Sequence, residues 1–219
     1  MTPRFWLRLA ILPVLVGCQD AAAPLNEPDV AGLEPGILGH EVGLPAESGE
    51  MHIPRQSPAA PPLEAYQVSF WARKDRASTV RVNYQPAAGE SVGQPFLRFH
   101  IPDGGLKAGP SEPHLGWRDS VFITLTIDSV NFSVEFQPSG VVFSKRTPAS
   151  LVIWYENADP DLNGDGVVDA ADQTLAEQLS LWSRQGRRAR WRQLLSAGDA
   201  TQRFVYTAVR HFSEFAVSW

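Results

Sequence analysis

From about residue 65 onward the chain is written in short runs of alternating apolar and polar residues, broken every few positions by Pro, Gly, Asn or Asp. A period of two over four to eight residues marks half-buried strands, and helices need a longer apolar stripe with a period of 3.6. Tyr66 to Ala72 and Thr79 to Tyr84 read as an opening strand pair. Further strands are expected at Phe96 to Ile101, Ser120 to Ile127, Phe132 to Phe136, Val141 to Phe143 and Ala149 to Tyr155. Four more are expected at Gln178 to Ser183, Trp191 to Leu195, Arg203 to Val209 and Glu214 to Trp219. No amphipathic helix of three turns interrupts them, and only Ala170 to Glu177 has helical character. Many short strands joined by turns predict an all-β fold, an antiparallel β-sandwich of about 154 residues (66–219) with one short helical turn, long enough to bury a core. Trp71, Trp117, Trp154, Trp182, Trp191 and Trp219 are expected as core or strand-face aromatics, with an exposed platform for sugars as the alternative.

One connection carries its own chemistry. Asp161 to Asp172 reads D-L-N-G-D-G-V-V-D-A-A-D, with oxygen-bearing side chains at loop positions 1, 3, 5, 9 and 12: Asp161, Asn163, Asp165, Asp169 and Asp172. Val167 at position 7 offers a backbone carbonyl, and Gly166 stands at position 6, where such loops turn sharply. Hard cations take six to eight oxygens, and four carboxylates this close repel one another unless a divalent ion lies among them. The spacing predicts Ca2+ rather than Mg2+, which keeps more of its water. A plain Asx-rich surface turn is the alternative, since these residues also favour turns for local reasons. Val168 at position 8 is expected to pin the loop to a core, and Asp169 and Asp172 to sit at the start of the helical turn. The calcium segment is read as an insertion, 159–177, between two sandwich strands.

At the other end, Arg4 and Arg8 flank an apolar run, Phe5 to Gly17, too short to span a bilayer. It closes on Leu15-Val16-Gly17-Cys18, which resembles a bacterial lipobox; residues 1–17 are then a lipoprotein signal peptide and Cys18 is the lipidated first residue of the mature chain. Cys18 is the only cysteine, so no disulfide partner accounts for it within the chain. Gln19 rather than Asp follows it, which under the sorting rules of a two-membrane envelope implies the outer membrane. Residues 18–65 carry eight prolines among Ala, Gly and Glu and read as a disordered tether with a span of about 35–40 Å. Without the two leader arginines, 17 of the 19 basic residues remain against 24 acidic ones, which argues against a nucleic-acid partner. The local exception is Arg184, Arg187, Arg188, Arg190 and Arg192, a solvated loop or a contact for anionic glycan or lipid headgroups.

Two further resemblances follow from longer stretches. Phe136 to Lys145, Leu151 to Tyr155, Trp191 to Leu195 and His211 to Val217 together resemble the β-sandwich domain of netrin receptors and ankyrins, over roughly Ser120 to Trp219. That resemblance implies a sandwich for packing and protein contacts, without a small-molecule active site. Some members of the type cut themselves between Phe and Ser of a His-Phe-Ser tripeptide, here His211-Phe212-Ser213. By that likeness the Ser213 hydroxyl would attack the Phe212 carbonyl with His211 assisting proton transfer, and water would resolve the ester. The alternative is that His211 and Ser213 only satisfy hydrogen bonds where the last strand begins. The calcium loop also resembles half of a dockerin, a module that binds cohesins, but a dockerin has two such loops with their helices and this sequence has one.

No G-x-S-x-G elbow, phosphate loop, dinucleotide fingerprint or zinc-type spacing is present. The expectation is a lipid-anchored, calcium-binding, non-enzymatic sandwich that contacts a protein or glycan, with self-cleavage and cohesin binding as the other readings.

Overall fold

The computed structural model describes residues 51–186 and 188–219. Cys18, the leader and the tether up to residue 50 lie outside the described residues, as does Arg187.

The expected sandwich forms. In chain order its strands are β1 (Gln67–Arg73), β2 (Ser78–Asn83), β3 (Pro95–Ile101), β4 (Leu106–Ala108), β5 (Ser120–Asp128), β6 (Ser133–Gln137), β7 (Val142–Phe143) and β8 (Ala149–Trp154). Helix α1 (Ala170–Gln178) follows, and then β9 (Ser180–Arg184), β10 (Arg192–Gln193), β11 (Ala197–Asp199), β12 (Phe204–Val209) and β13 (Glu214–Ser218). One sheet has the order β1-β5-β6-β13-β9-β10, the second β11-β12-β8-β3-β2, and β4 pairs with β7 in a small ribbon.

Alternation decides which faces meet. Val121, Ile123, Leu125 and Ile127 of β5 are buried, while Ser120, Phe122, Thr126 and Asp128 between them are exposed. On β1, Val68 and Phe70 pack against the core and Ala72 lies within it. Phenylalanine fills the interior. The Phe136 ring lies 4.6 Å from Phe99, 5.0 Å from Phe212 and 5.7 Å from Phe215, within the range in which aromatic pairs add to plain burial.

Four expectations need correction. β1 and β2 are not a hairpin pair. β1 pairs with β5 and β2 with β3, so the chain crosses between the sheets after Arg73. The crossing is fixed by Lys74, whose amide donates to Asp119 O at 3.1 Å and whose ammonium donates to Leu115 O at 2.7 Å. Second, the tryptophans expected in the core or on strand faces are not in the core: Trp71, Trp154 and Trp182 do stand on β1, β8 and β9, Trp71 is 65% and Trp117 59% exposed, and the others are partly exposed. Third, the stretch 51–65 is not free tether. Gln56 bridges Ala158, Leu63 bridges Tyr84 and is buried, and the Ser57 amide donates to Asn157 O at 2.9 Å. The folded body therefore reaches back beyond residue 66. Fourth, Val168 pins nothing, as described next.

Candidate functional site

The loop between β8 and α1 is organised by its own carboxylates. Asp161 Oδ1 accepts the amides of Gly164 (2.8 Å) and Asp165 (3.1 Å), and its Oδ2 accepts that of Gly166 (2.8 Å). Asn163 Oδ1 takes the Asp165 amide at 2.9 Å, and Asp165 Oδ1 takes the Val167 amide at 2.8 Å. Gly164 and Gly166 have φ of 75° and 87°, which only a residue without Cβ adopts at little cost. These two glycines let the backbone coil around Asp161.

Asp172 closes the loop from the helix side. Its Oδ1 accepts the amides of Leu162 (2.8 Å) and Asn163 (3.1 Å), and its Oδ2 accepts that of Asp169 (2.9 Å). Asp169 in turn caps α1 by accepting the Ala171 amide at 2.7 Å, so loop positions 9 and 12 form a capping box. Asp172 is buried at 4% exposure. The amides of Asp169, Asn163 and Leu162 hold its carboxyl below the ordinary value of 3.8, against an opposing push from burial.

Asp161, Asn163, Asp165, Asp169 and Asp172 are thus brought into one hydrogen-bonded loop, but their oxygens face backbone amides. Among the described residues no three His, Cys, Asp or Glu side chains converge as a metal-holding group. Asp161 Oδ1 and Asp172 Oδ1 each already accept two amides, but Asp161 Oδ2 and Asp172 Oδ2 accept one each and keep a lone pair for a hard cation. Val167 and Val168 are 57% and 62% exposed. Val168 does not reach the core, and on α1 Asp172 is the buried residue while Leu175 and Ala176 are half-buried.

His211 and Ser213 meet at the start of β13. Ser213 Oγ lies 3.1 Å from His211 Nδ1, and Gln185 Nε2 approaches the same nitrogen at 3.4 Å. Nδ1 carries either one lone pair or one hydrogen, so only one of these two contacts is a full hydrogen bond, and the Ser213 contact is the shorter. Both flanks of the Phe212–Ser213 bond are tied: the Phe212 amide donates to Val141 O at 3.1 Å, and Ser213 O accepts the Phe136 amide at 3.3 Å. Among the described residues, the left-handed non-glycine ones are Phe132 and Arg203, at φ 43° and 51°, rather than Phe212 or Ser213.

A cleft of about 790 Å3 opens beside this tripeptide, between the β4–β7 ribbon, the β6–β13 end of the larger sheet and the turn after β9. Sequence reasoning did not find it, because β4 is too short to show a period and the cleft's lining comes from four separated segments. The arginine cluster is split: Arg184 forms two hydrogen bonds to Glu214 (2.6 and 2.9 Å) and lies 4.6 Å over the Trp191 ring, while Arg188 and Arg190 are exposed.

No known protein family, curated protein or solved structure matches this chain.

Proposed function

We propose that this chain is a lipid-anchored, calcium-braced β-sandwich of a bacterial envelope that acts by binding a protein or glycan rather than by turning over a substrate. The observation that carries the metal reading is the wrapping of three successive loop amides around Asp161, closed by the buried Asp172. In this reading Asp161, Asn163, Asp165, Asp169 and Asp172 supply side-chain oxygens and Val167 its carbonyl. The ion offsets the mutual repulsion of the four carboxylates and braces the connection between β8 and β9. The acyl chains of Cys18 hold the protein at the membrane, where stable anchoring takes more than one chain. A single loop with one helix among the described residues supports a brace better than a cohesin-binding dockerin.

Sites of this kind in extracellular modules bind calcium at about 0.1–1 mM, so about 1 mM calcium stabilises by about 0.4–1.4 kcal/mol. For a domain of this size that is a rise in Tm of about 1–6 °C. Melting curves in EGTA and in calcium, with isothermal calorimetry beside them, test it. Coincident curves together with no heat of binding would sink the metal component. Detergent phase partition of the wild type and Cys18→Ser tests the anchor, and equal partition of the two removes it.

A second reading is favoured by the 3.1 Å contact between Ser213 Oγ and His211 Nδ1. In it the hydroxyl attacks the Phe212 carbonyl as the ring accepts its proton, the Phe212–Ser213 C–N bond breaks as the Ser213 nitrogen takes a proton, and water hydrolyses the ester. Intact mass of the purified wild type and Ser213→Ala decides this. Two fragments from the wild type and one species from the variant support it, and a single full-length mass in both rejects it.

A further inference from the structure

We propose that the cleft beside His211 and Ser213 is a binding site for an acidic sugar. Its volume of about 790 Å3 lies within the range of small-molecule sites and leaves most of the space unfilled by a bare ion. Lys107 on β4 and Lys145 just after β7 line it, brought to one side by the pairing of Leu106 with Phe143 and Ala108 with Val142. Both lysines are exposed, and neither makes an ion pair with a described residue. Two carboxylates also reach the cleft. Glu214 is held by Arg184 through two hydrogen bonds, and Glu135 accepts Gln137 Nε2 at 2.6 Å. Arg210 adds a further cation to the lining. In a chain with a net charge of −5, this is a local excess of positive charge.

The neutral part of the lining selects within the anions. Gln137 and Gln185 offer amides, and Ser139 offers a hydroxyl, groups that pair with sugar hydroxyls in both directions. Phe143 and Phe212 close the floor of the cleft from within the core, at 1% and 5% exposure. A fatty acid would leave the amides unpaired, and a neutral sugar would leave the lysines unused. A phosphate or carboxylate on a sugar satisfies both halves. No residue of the Asp161–Asp172 loop lines the cleft, so the site stands independently of calcium.

The test is an amide-resolved NMR titration of the purified chain at low ionic strength, in EGTA, with glucose 6-phosphate and glucuronate as probes and with glucose and inorganic phosphate as comparisons. Saturable shifts at Gly140, Gln185 and His211 are expected with at least one acidic sugar. Lys107→Ala and Lys145→Ala should each weaken binding about tenfold, the loss expected for a hydrogen bond to a charged group. Both positions are exposed, so an unchanged melting curve certifies the fold of each variant, and Lys→Gln versions repeat the test if it does not. The proposal is overturned if neither acidic sugar gives saturable shifts at these residues or if the lysine variants bind as the wild type does. Inorganic phosphate or glucose binding as tightly as the acidic sugars overturns it equally.

Discussion

Phe212 joins the stability of the core to the chemistry considered for the tripeptide, and its replacement is the sharpest test of the packing. The residue is 5% exposed, with its ring 5.0 Å from Phe136, 5.2 Å from Phe143 and 6.0 Å from Phe99. Its partners come from both large sheets and the β4–β7 ribbon, so no single element can close over the space left by Phe212→Ala. Burial of an aromatic ring together with the cavity left behind sets the cost of such a truncation at about 3–5 kcal/mol. At 2–4 °C per kcal/mol for a domain of this size, Tm should fall by about 6–20 °C. Phe212→Leu keeps most of the volume and loses mainly the ring contacts, so it should cost about 1–2 kcal/mol. Urea titrations followed by tryptophan fluorescence give both values, with equal m-values required before they are compared. A Phe212→Ala variant within about 1 kcal/mol of wild type, or one no worse than Phe212→Leu, would refute the three-way packing.

Three other outcomes are expected. Asp172 has a folded pKa held below 3.8, so its stabilising contribution is fully present above that value and is lost as pH falls through the lower folded value. In EGTA, the gap in Tm between wild type and Asp172→Asn should therefore be widest above about pH 4 and narrow in stronger acid; a gap that is constant with pH contradicts the amide contacts. Gly166 has φ of 87° and open space around its missing Cβ, so Gly166→Ala is opposed by backbone strain alone, about 1–2 kcal/mol. Tm in EGTA should then fall by about 2–8 °C, and an unchanged Tm would mean the chain does not hold this turn. The Arg184–Glu214 pair is partly exposed, at 25% and 19% of the two side chains, and its removal should cost no more than about 1 kcal/mol and less at high salt. A double-mutant cycle at two salt concentrations checks this, and a salt-independent coupling above about 2 kcal/mol would contradict it.

Alternation made strands such as β1, β2 and β5 legible, because one face of each is buried and the phase shows which, whereas β12 is buried along its whole length. The same phase places Trp71 with Gln67 and Ser69, on the outward face opposite Val68, Phe70 and Ala72, and there it pairs with the exposed Phe122 at 5.1 Å. The expectation of a core or strand-face position is met on the strand face, as the phase requires. Strand partners were not legible. The four residues between β1 and β2 look like a hairpin turn, and only contacts to Asp119 and Leu115, more than forty residues away, show that they change sheets. β4 and β11 span three residues each, too few for any period to show. At the loop, the positions of Asp161, Asn163, Asp165, Asp169 and Asp172 foretold a coiled turn ending in a capped helix, since those contacts are local. What Val168 touches depends on where α1 lies, which local spacing does not encode. The cleft depends on four segments meeting, and its lysines looked like ordinary surface charge.

β13 is the last of the described strands in chain order, yet it lies inside its sheet, hydrogen-bonded to β6 on one side and β9 on the other. Until that strand has been made, the larger sheet exists only as two unjoined pieces with facing raw edges. A ribosome therefore cannot release a finished sandwich in instalments, and premature stops upstream of Glu214 leave a product with no native half-form to settle into.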